Sequence, residues 1–136
     1  MRCLVVTPEK TVLNLEATLV VLPLFDGEYG VLPGHAPLIA RLGAGELRIT
    51  GTDGQLTDYY VEGGFVEVLD DTVALMSMYS VPAAELDLAQ AEEQLEAIQA
   101  SPFDTSELLN IRHDKLYQQR ARVRVARKMA EKLGRR

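Results

Sequence analysis

The chain has 136 residues, 47% of them hydrophobic and 25% charged, with a formal net charge of −6. That length fits one ordinary domain, or a small domain with an appendage, and the composition excludes wholesale disorder. Cys3 is the only cysteine, which excludes an internal disulfide framework and a cysteine-rich zinc site and is compatible with a reducing compartment.

The start, MRCLVVTPEK, meets Glu9 and Lys10 before an apolar signal core can form. Ala17 to Phe25, the longest uncharged apolar stretch of the first strands, is too short to span a bilayer as a helix. The expectation is a soluble, cytoplasmic protein, free to attach to a membrane-bound partner. From Met1 to about Ser80 the segments RCLVVT, TVLNLEATLVVL, ELRITG, QLTDYYVEG, FVEVL and TVALMSM read as strands. They are short, rich in Val, Leu, Thr and Tyr, and bounded by turn formers. Phe65-Val66-Glu67-Val68, Leu47-Arg48-Ile49-Thr50 and Thr57–Glu62 alternate apolar with polar residues, as strands do when one face is buried and the other wet. Asp53-Gly54 reads as a two-residue hairpin turn, and Asp70-Asp71 separates two further strands. Strands at this spacing with no helical pattern between them predict an antiparallel sandwich or barrel.

Between the second and third of these segments lies DGEYGVLPGHAP, residues 26 to 37, with three glycines, two prolines, two acids and one histidine. It leads into strand-like sequence, not into the helix N-terminus that a phosphate cradle needs. It also lacks the further acids of a calcium loop. Gly27 and Gly30 suggest positive φ, and Pro33 and Pro37 stiffen the rest of the stretch. A rigid loop presenting Glu28 and Tyr29 and a bulged turn that closes the sandwich fit these residues equally well.

At Val81-Pro82 the period changes. Ala84, Leu88, Ala91, Leu95 and Ile98 follow helical three-and-four spacing, with Glu92, Glu93 and Glu96 facing away. Asp87-x-x-Gln90 has the form of a capping box that starts this helix near Leu88. ASPFD ends it, and a second box, Asp104-x-x-Glu107, opens a longer helix reaching Leu133, with Gly134 as its stop. Leu109, Leu116, Val123 and Ala130 recur every seventh residue, joined by Ala126 and Leu133. The predicted architecture is α+β in two parts: an antiparallel β-sandwich or barrel over 1–83, then an antiparallel two-helix hairpin over 84–136.

Charge divides along the same lines. Residues 1–111 hold 18 acids against 4 bases, a balance of −14, while residues 112–136 hold 2 acids against 10 bases, a balance of +8. At 1.5 Å per residue the first helix is roughly 20 Å long and the second more than about 40 Å. The first helix therefore cannot cover the second along its whole length, and an isolated helix is marginal in water. The overhanging half carries Arg120, Arg122, Arg124, Arg127, Lys128 and Lys132, which predicts a mobile element seeking an acidic partner. Nucleic acid fits poorly, because the rest of the chain is acidic and no aromatic platform accompanies the arginines. A membrane-surface helix fits poorly too, because the bases are expected to spread around the helix and not onto one polar face.

No nucleophile elbow, Walker-type loop or dinucleotide fingerprint is present. His35 and His113 are the only histidines, and neither has a second histidine or a cysteine at ligand spacing. In a Gly-Pro loop, His35 suits hydrogen bonding that fixes the loop or meets another protein better than it suits general-base chemistry. No catalytic residue, metal or cofactor is expected.

These residues carry a resemblance. DGEYGVLPGHAPL is similar to the signature of the epsilon-subunit family of the F-type ATP synthase (the subunit mitochondria call delta). LGAGELRI resembles its following strand, with Ala44 where proline is common, and YYVEGGFVEVLDDTVALM resembles its next strand pair, with Glu62 where serine is frequent. The resemblance covers essentially the whole chain. It implies a non-catalytic rotor subunit, peripheral on the cytoplasmic face of a bacterial plasma membrane and attached to that membrane only through the complex. Its sandwich would grip the gamma subunit and touch the c-subunit ring, coupling proton-driven rotation to ATP synthesis in the alpha/beta head. Glu28, with Tyr29 beside it, matches the ring-facing loop, and His35 lies where the signature meets gamma. Arg120, Arg122, Arg124, Arg127 and Lys128 match the basic helix that approaches an acidic segment of beta and restrains ATP hydrolysis. The family's frequent ATP-holding motif, Leu/Ile-Asp-x-x-Arg-Ala, reads Leu86-Asp87-Leu88-Ala89-Gln90-Ala91 here. Asp87 is therefore a weak ATP candidate, Gln90 removes the cation, and the implied ATP binding is weak or absent. The alternative reading is a free-standing β-sandwich adaptor that docks an acidic partner through the basic helix.

Overall fold

A computed structural model describes residues 1–100 and 106–134, the side chains of 106–110 and 112 excepted. The chain divides into two compact units, Met1–Pro82 and Ala83–Arg136.

The first unit is built from nine strands: β1 Arg2–Val6, β2 Thr11–Leu24, β3 Gly27–Val31, β4 Leu38–Arg41, β5 Ala44–Gly51, β6 Leu56–Glu62, β7 Phe65–Leu69, β8 Thr72–Met76 and β9 Tyr79–Pro82. They form a sandwich in which β2 belongs to both layers. Its first half pairs with β1, and its second half pairs with β3 and β5. One layer runs β4-β7-β8-β1-β2, and the other continues from β2 through β5 and β6 to β9. The pairing of β2 with β5 shifts register between Ala17 and Leu19. Ala17 there is buried, and a bulge of this kind lets one long strand bend from one layer into the next. Pairing is antiparallel throughout except between β1 and β8, which run parallel, Arg2 beside Thr72 through Val6 beside Met76.

The alternation predicted over Leu47–Thr50 and Phe65–Val68 supplies part of the core, and the other strands supply the rest. Cys3 and Val5, Val20 and Leu22, Leu47 and Ile49, Val66 and Val68, Val73 and Leu75 all point inward and join one buried cluster with Val31, Leu42 and Val61. Burial pushes the Cys3 thiol up to about 12, because a thiolate there would lose its water. The other side of the second layer is not wet as alternation suggested. Glu46 and Glu62 are nearly buried, and Glu62 accepts a 2.6 Å hydrogen bond from the Tyr60 hydroxyl.

The turns separate good expectations from poor ones. Leu69 pairs with Thr72 across Asp70 and Asp71, whose φ angles of 50° and 59° are those of a two-residue type I′ turn. The β5–β6 turn instead has three residues, Thr52 to Gly54. Gly51 N–H donates to Gln55 across it, and Gly54 N–H donates back to Gly51. Asp53 is not at a I′ corner, because its carboxylate accepts from the Gln55 N–H at 3.0 Å and stabilises the longer loop. The segment TVALMSM is likewise not one strand. β8 ends at Met76, and buried Ser77 turns the chain from one layer to the other. Ser77 N–H donates to Val6, and its hydroxyl lies 2.8 Å from the Tyr79 carbonyl and 3.1 Å from that of Glu62.

In the second unit a short 3₁₀ turn, Ala83–Glu85, precedes α1 Leu88–Ala100 and α2 Ser106–Gly134. The first capping box forms: Asp87 Oδ1 accepts from Gln90 N–H at 3.1 Å. Asp104 and the side chains of Glu107 and Leu109 lie outside the described residues. Along α1, Leu88, Leu95 and Ile98 are half-buried and Ala91 is buried. Ala84 breaks the predicted stripe: it is exposed in the 3₁₀ turn, and Ala83 is buried in its place. On α2, Leu116, Val123 and Ala126 are buried as expected, but Ala130 and Leu133 are exposed. The reason is length, since α1 has 13 residues against the 29 of α2. Ala121 and Val125 are also buried, at positions outside the seven-residue stripe. Gln119, buried beside the stripe, donates from Nε2 to the Ala91 carbonyl at 2.9 Å and pins the two helices in register.

Candidate partner interface

The residues singled out in the sequence fall on β3 and the turn after it in the sandwich, and on the start of α1 and along α2 in the second unit. The stretch from residue 26 is only partly a loop. Phe25 and Asp26 form a tight connection, and Gly27 to Val31 fold back as β3 on β2, Leu22 opposite Tyr29 and Val21 opposite Gly30. Gly27 has φ 136°, but Gly30 sits in the ladder without positive φ; the glycine that needs it is Gly34, at 82°. Pairing with β2 supplies the shape that glycine freedom was expected to supply.

The true turn is Leu32-Pro33-Gly34-His35, closed by His35 N–H donating to the Leu32 carbonyl at 3.2 Å. Proline at the second position and a positive-φ glycine at the third are the requirements of a type II turn. From it the His35 ring reaches back. Nδ1 lies 2.6 Å from the Ala36 carbonyl, and Nε2 lies 2.7 Å from the Tyr29 hydroxyl. A carbonyl only accepts, so Nδ1 carries the proton, and Nε2 of the neutral ring accepts from Tyr29. The two rings meet edge-on, with centroids 5.5 Å apart. Both nitrogens are thus engaged in fixing the loop. A third link comes from 37 residues away, where Asp71 Oδ1 accepts from the Gly34 N–H at 2.9 Å.

Glu28 projects from β3 and pairs with Arg48 on β5 at 2.9 Å, and Arg48 in turn bonds Glu46 at 3.0 Å. Partial burial pulls the Arg48 guanidinium down, but the Glu46 hydrogen bond and the charges of Glu28 and Glu46 outweigh it and raise its pKa. Sequence spacing could not show this pair, because Glu28 and Arg48 meet across the intervening β2. Nearby, a cleft of about 520 Å³ is lined by Phe25, Asp26, Glu28, Tyr29, Leu38 and Arg41. Arg41 lies 4.2 Å over the Phe25 ring.

A second surface escaped the sequence reading. The outward positions of β4, β7 and β8 include Ile39, Phe65, Leu69 and Met76, all exposed, with Ile39 73% accessible. Register places Arg41, Phe65 and Met76 in one row and Ile39, Glu67 and Ala74 in the next. Val66, Val68, Val73 and Leu75 fill the inward positions between them. The signal was available in part: Ile39, Phe65, Leu69 and Met76 put large apolar side chains at outward positions, interrupted by Arg41, Glu67 and Thr72.

On α2, Arg120, Arg124, Arg127 and Lys128 are exposed and Arg122 is half-buried. At 3.6 residues per turn the four exposed bases fall within about 100° of one another. These four form one basic face with Lys132 at its rim, while Arg122 and exposed Lys115 lie roughly 120° or more away, so bases also occur elsewhere around the helix. Arg127 pairs with Glu92 of α1 at 3.2 Å. Asp87, the weak nucleotide candidate, spends its carboxylate on the α1 cap, and Gln90 beside it is exposed. Among the described residues no cluster of three His, Cys, Asp or Glu is placed to hold a metal ion, and no helix is long and apolar enough to cross a membrane.

The geometry defines a β-sandwich unit and a unit of two paired helices, the sandwich bearing the Tyr29–His35 turn and a sheet face with exposed Ile39, Phe65, Leu69 and Met76. Residues 1–82 match the family described as ATP synthase, Delta/Epsilon chain, beta-sandwich domain. A relative from Rhodopirellula baltica named ATP synthase epsilon chain is 41% identical over 126 residues, 93% of this chain and 98% of that one. One from Syntrophobacter fumaroxidans with the same name is 37% identical over 129 residues, 94% of this chain and 93% of that one. The fold is also similar to a chain of the Euglena gracilis mitochondrial ATP synthase (TM-score 0.74, 24% identity, 86% of this chain and 74% of that one). A chain from the central stalk and c-ring of the Tetrahymena thermophila mitochondrial ATP synthase matches as closely in shape (TM-score 0.73, 18% identity, 93% and 96%). The chain belongs to the ATP synthase delta/epsilon chain family.

Proposed function

We propose that the chain is a non-catalytic central-stalk subunit of an F-type ATP synthase, linking rotation of the c-subunit ring to the alpha/beta head. The observation that carries this reading is the apolar face of β4, β7 and β8, which runs into the loop holding Tyr29 and His35. An exposed apolar patch on a sheet is unfavourable in water and marks a surface that another protein covers. Here the covering partner is gamma. Glu28, next to Tyr29 on β3, meets the polar loops of the ring, with its carboxylate paired to Arg48. The basic face of α2 approaches an acidic segment of beta and restrains ATP hydrolysis. The subunit sits peripherally on the cytoplasmic face of a bacterial membrane and carries out no reaction of its own.

Reconstitution tests this directly. The full chain binds gamma stably and lowers ATP hydrolysis by the alpha/beta/gamma head, and a chain ending near Ala83 keeps gamma binding but loses the restraint. Failure to associate with gamma refutes the assignment and leaves the adaptor reading, in which α2 alone finds an acidic partner.

A further inference from the structure

The β7–β8 turn carries more than a change of direction. A type I′ turn needs positive φ at both central positions, which Asn or Gly adopts as readily as Asp. At Asp71 the side chain has a second use. Its Oδ1 accepts the Gly34 N–H at 2.9 Å, while its own carbonyl accepts from Arg2 N–H at 3.0 Å. Gly34 is the positive-φ corner of the turn that carries His35. Apart from the Tyr29 contact, this is the one hydrogen bond among the described residues that ties 32–37 to a distant segment. Asp71 also lies two residues from Leu69, where the apolar face of β7 ends.

We propose that Asp71 is a positioning residue of the docking surface. Its carboxylate, acting through the Gly34 N–H, sets the type II turn that presents His35 and the Tyr29–His35 pair. It thereby locks that loop in a fixed relation to the apolar face of β7 and β8. The loop and the sheet face come from distant parts of the sequence, and a partner that reads both at once needs them held together. This rests on the reading that the His35 loop and the apolar face meet the gamma subunit.

The test uses the full chain and two substitutions that both tolerate the positive φ of Asp71. Asp71→Asn keeps an acceptor oxygen and removes the charge, whereas Asp71→Gly keeps the turn and removes the acceptor. Three readouts are followed: Gly34 amide exchange, the His35 ring-nitrogen resonances, and the Kd for purified gamma subunit. Asp71→Asn is expected to leave all three within about twofold of the parent. Asp71→Gly is expected to speed Gly34 exchange by roughly fivefold, as the loss of one ordinary hydrogen bond implies, with strand amides of β7 and β8 unchanged. It should also shift the His35 signals and weaken gamma binding by a similar factor. Unchanged Gly34 exchange in Asp71→Gly overturns the proposal, as does an Asn variant that behaves like Gly. The underlying reading fails separately: if His35→Ala and Asp71→Gly both leave gamma binding intact while Gly34 exchange rises, the loop is fastened as described but gamma does not read it.

Discussion

Gly64 offers a quantitative test of how the sandwich turns its corner. It has φ +93°, and a Cβ added there would lie 1.8 Å from the Met76 carbonyl oxygen and 2.9 Å from its carbon. Neither atom belongs to a flexible side chain, so the backbone at Met76 and Ser77 must move. That backbone holds the pairing of Phe65 with Met76 and the Ser77 N–H bond to Val6. The left-handed φ costs roughly 1–2 kcal/mol for a residue with a Cβ, and forcing packed backbone apart costs about 1–3 kcal/mol more. Gly64→Ala should therefore destabilise the protein by roughly 2–5 kcal/mol. Gly54 is the control, because it has a similar φ of +81° with nothing within 4 Å of an added Cβ. Gly54→Ala should cost only the backbone term, about 1–2 kcal/mol. Urea unfolding followed by circular dichroism reads both as a fall in midpoint at constant m. In a thermal scan the Gly64 variant should melt roughly 8 °C or more below the parent. If the two alanines cost the same, the clash is not what fixes Gly64, and steric exclusion does not explain this corner.

The core, the helix cap and the basic face can each be tested as well. Cys3 should resist thiol reagents in the native chain and react at once in denaturant, and fast native labelling would contradict its burial. Its pKa, raised to about 12 from an ordinary value of 9.0, makes the folded state bind one proton more than the unfolded state between those values. This site should thus lower stability by roughly 1.4 kcal/mol per pH unit as pH rises from 9 towards 12, and Cys3→Ala should flatten that decline. Asp87→Ala should cost about 1 kcal/mol through the lost α1 cap, while calorimetric titration of the parent shows no saturable binding at sub-millimolar ATP. Arg120→Ala with Arg124→Ala should relieve the restraint on ATP hydrolysis in the reconstituted head while changing stability by less than about 1 kcal/mol, as exposed charges do; an unchanged restraint would remove the basic face from the mechanism.

Much of the fold was legible because its signals are local. Alternation located the inward residues of β5 and β7, and Asp87 with Gln90 marked the start of α1 within the chain's own turn chemistry. What stayed hidden depends on partners distant in sequence. β3 looked like a loop because its glycines and acids have poor strand propensity, and only pairing with β2 makes it a strand. The β5–β6 turn gained a residue because the Asp53 carboxylate found the Gln55 N–H. Ala130 and Leu133 keep helical spacing, yet nothing in that spacing says where a shorter neighbouring helix stops. For the interface, Glu28, Tyr29 and His35 were visible as a motif, but the Arg48 pair, the Asp71 link and the apolar face needed three-dimensional register. The basic face was obscured for another reason: counting bases along a helix does not project them onto its circumference, where Arg120, Arg124, Arg127 and Lys128 cluster while Lys115 and Arg122 lie apart.

The parallel seam between β1 and β8 has a consequence for how the chain acquires its shape. Residues 2–6 are made early, yet their neighbour on one side does not exist until residues 72–76 have left the ribosome. β1 can pair with β2 as soon as both emerge, but its other edge then stays open through roughly 50 further residues of synthesis. Until β8 arrives, Cys3 and Val5 belong to an incomplete layer whose unpaired edge can recruit the wrong strand. Closure of that seam is thus a late, long-range step that depends on nearly the whole first unit being present at once.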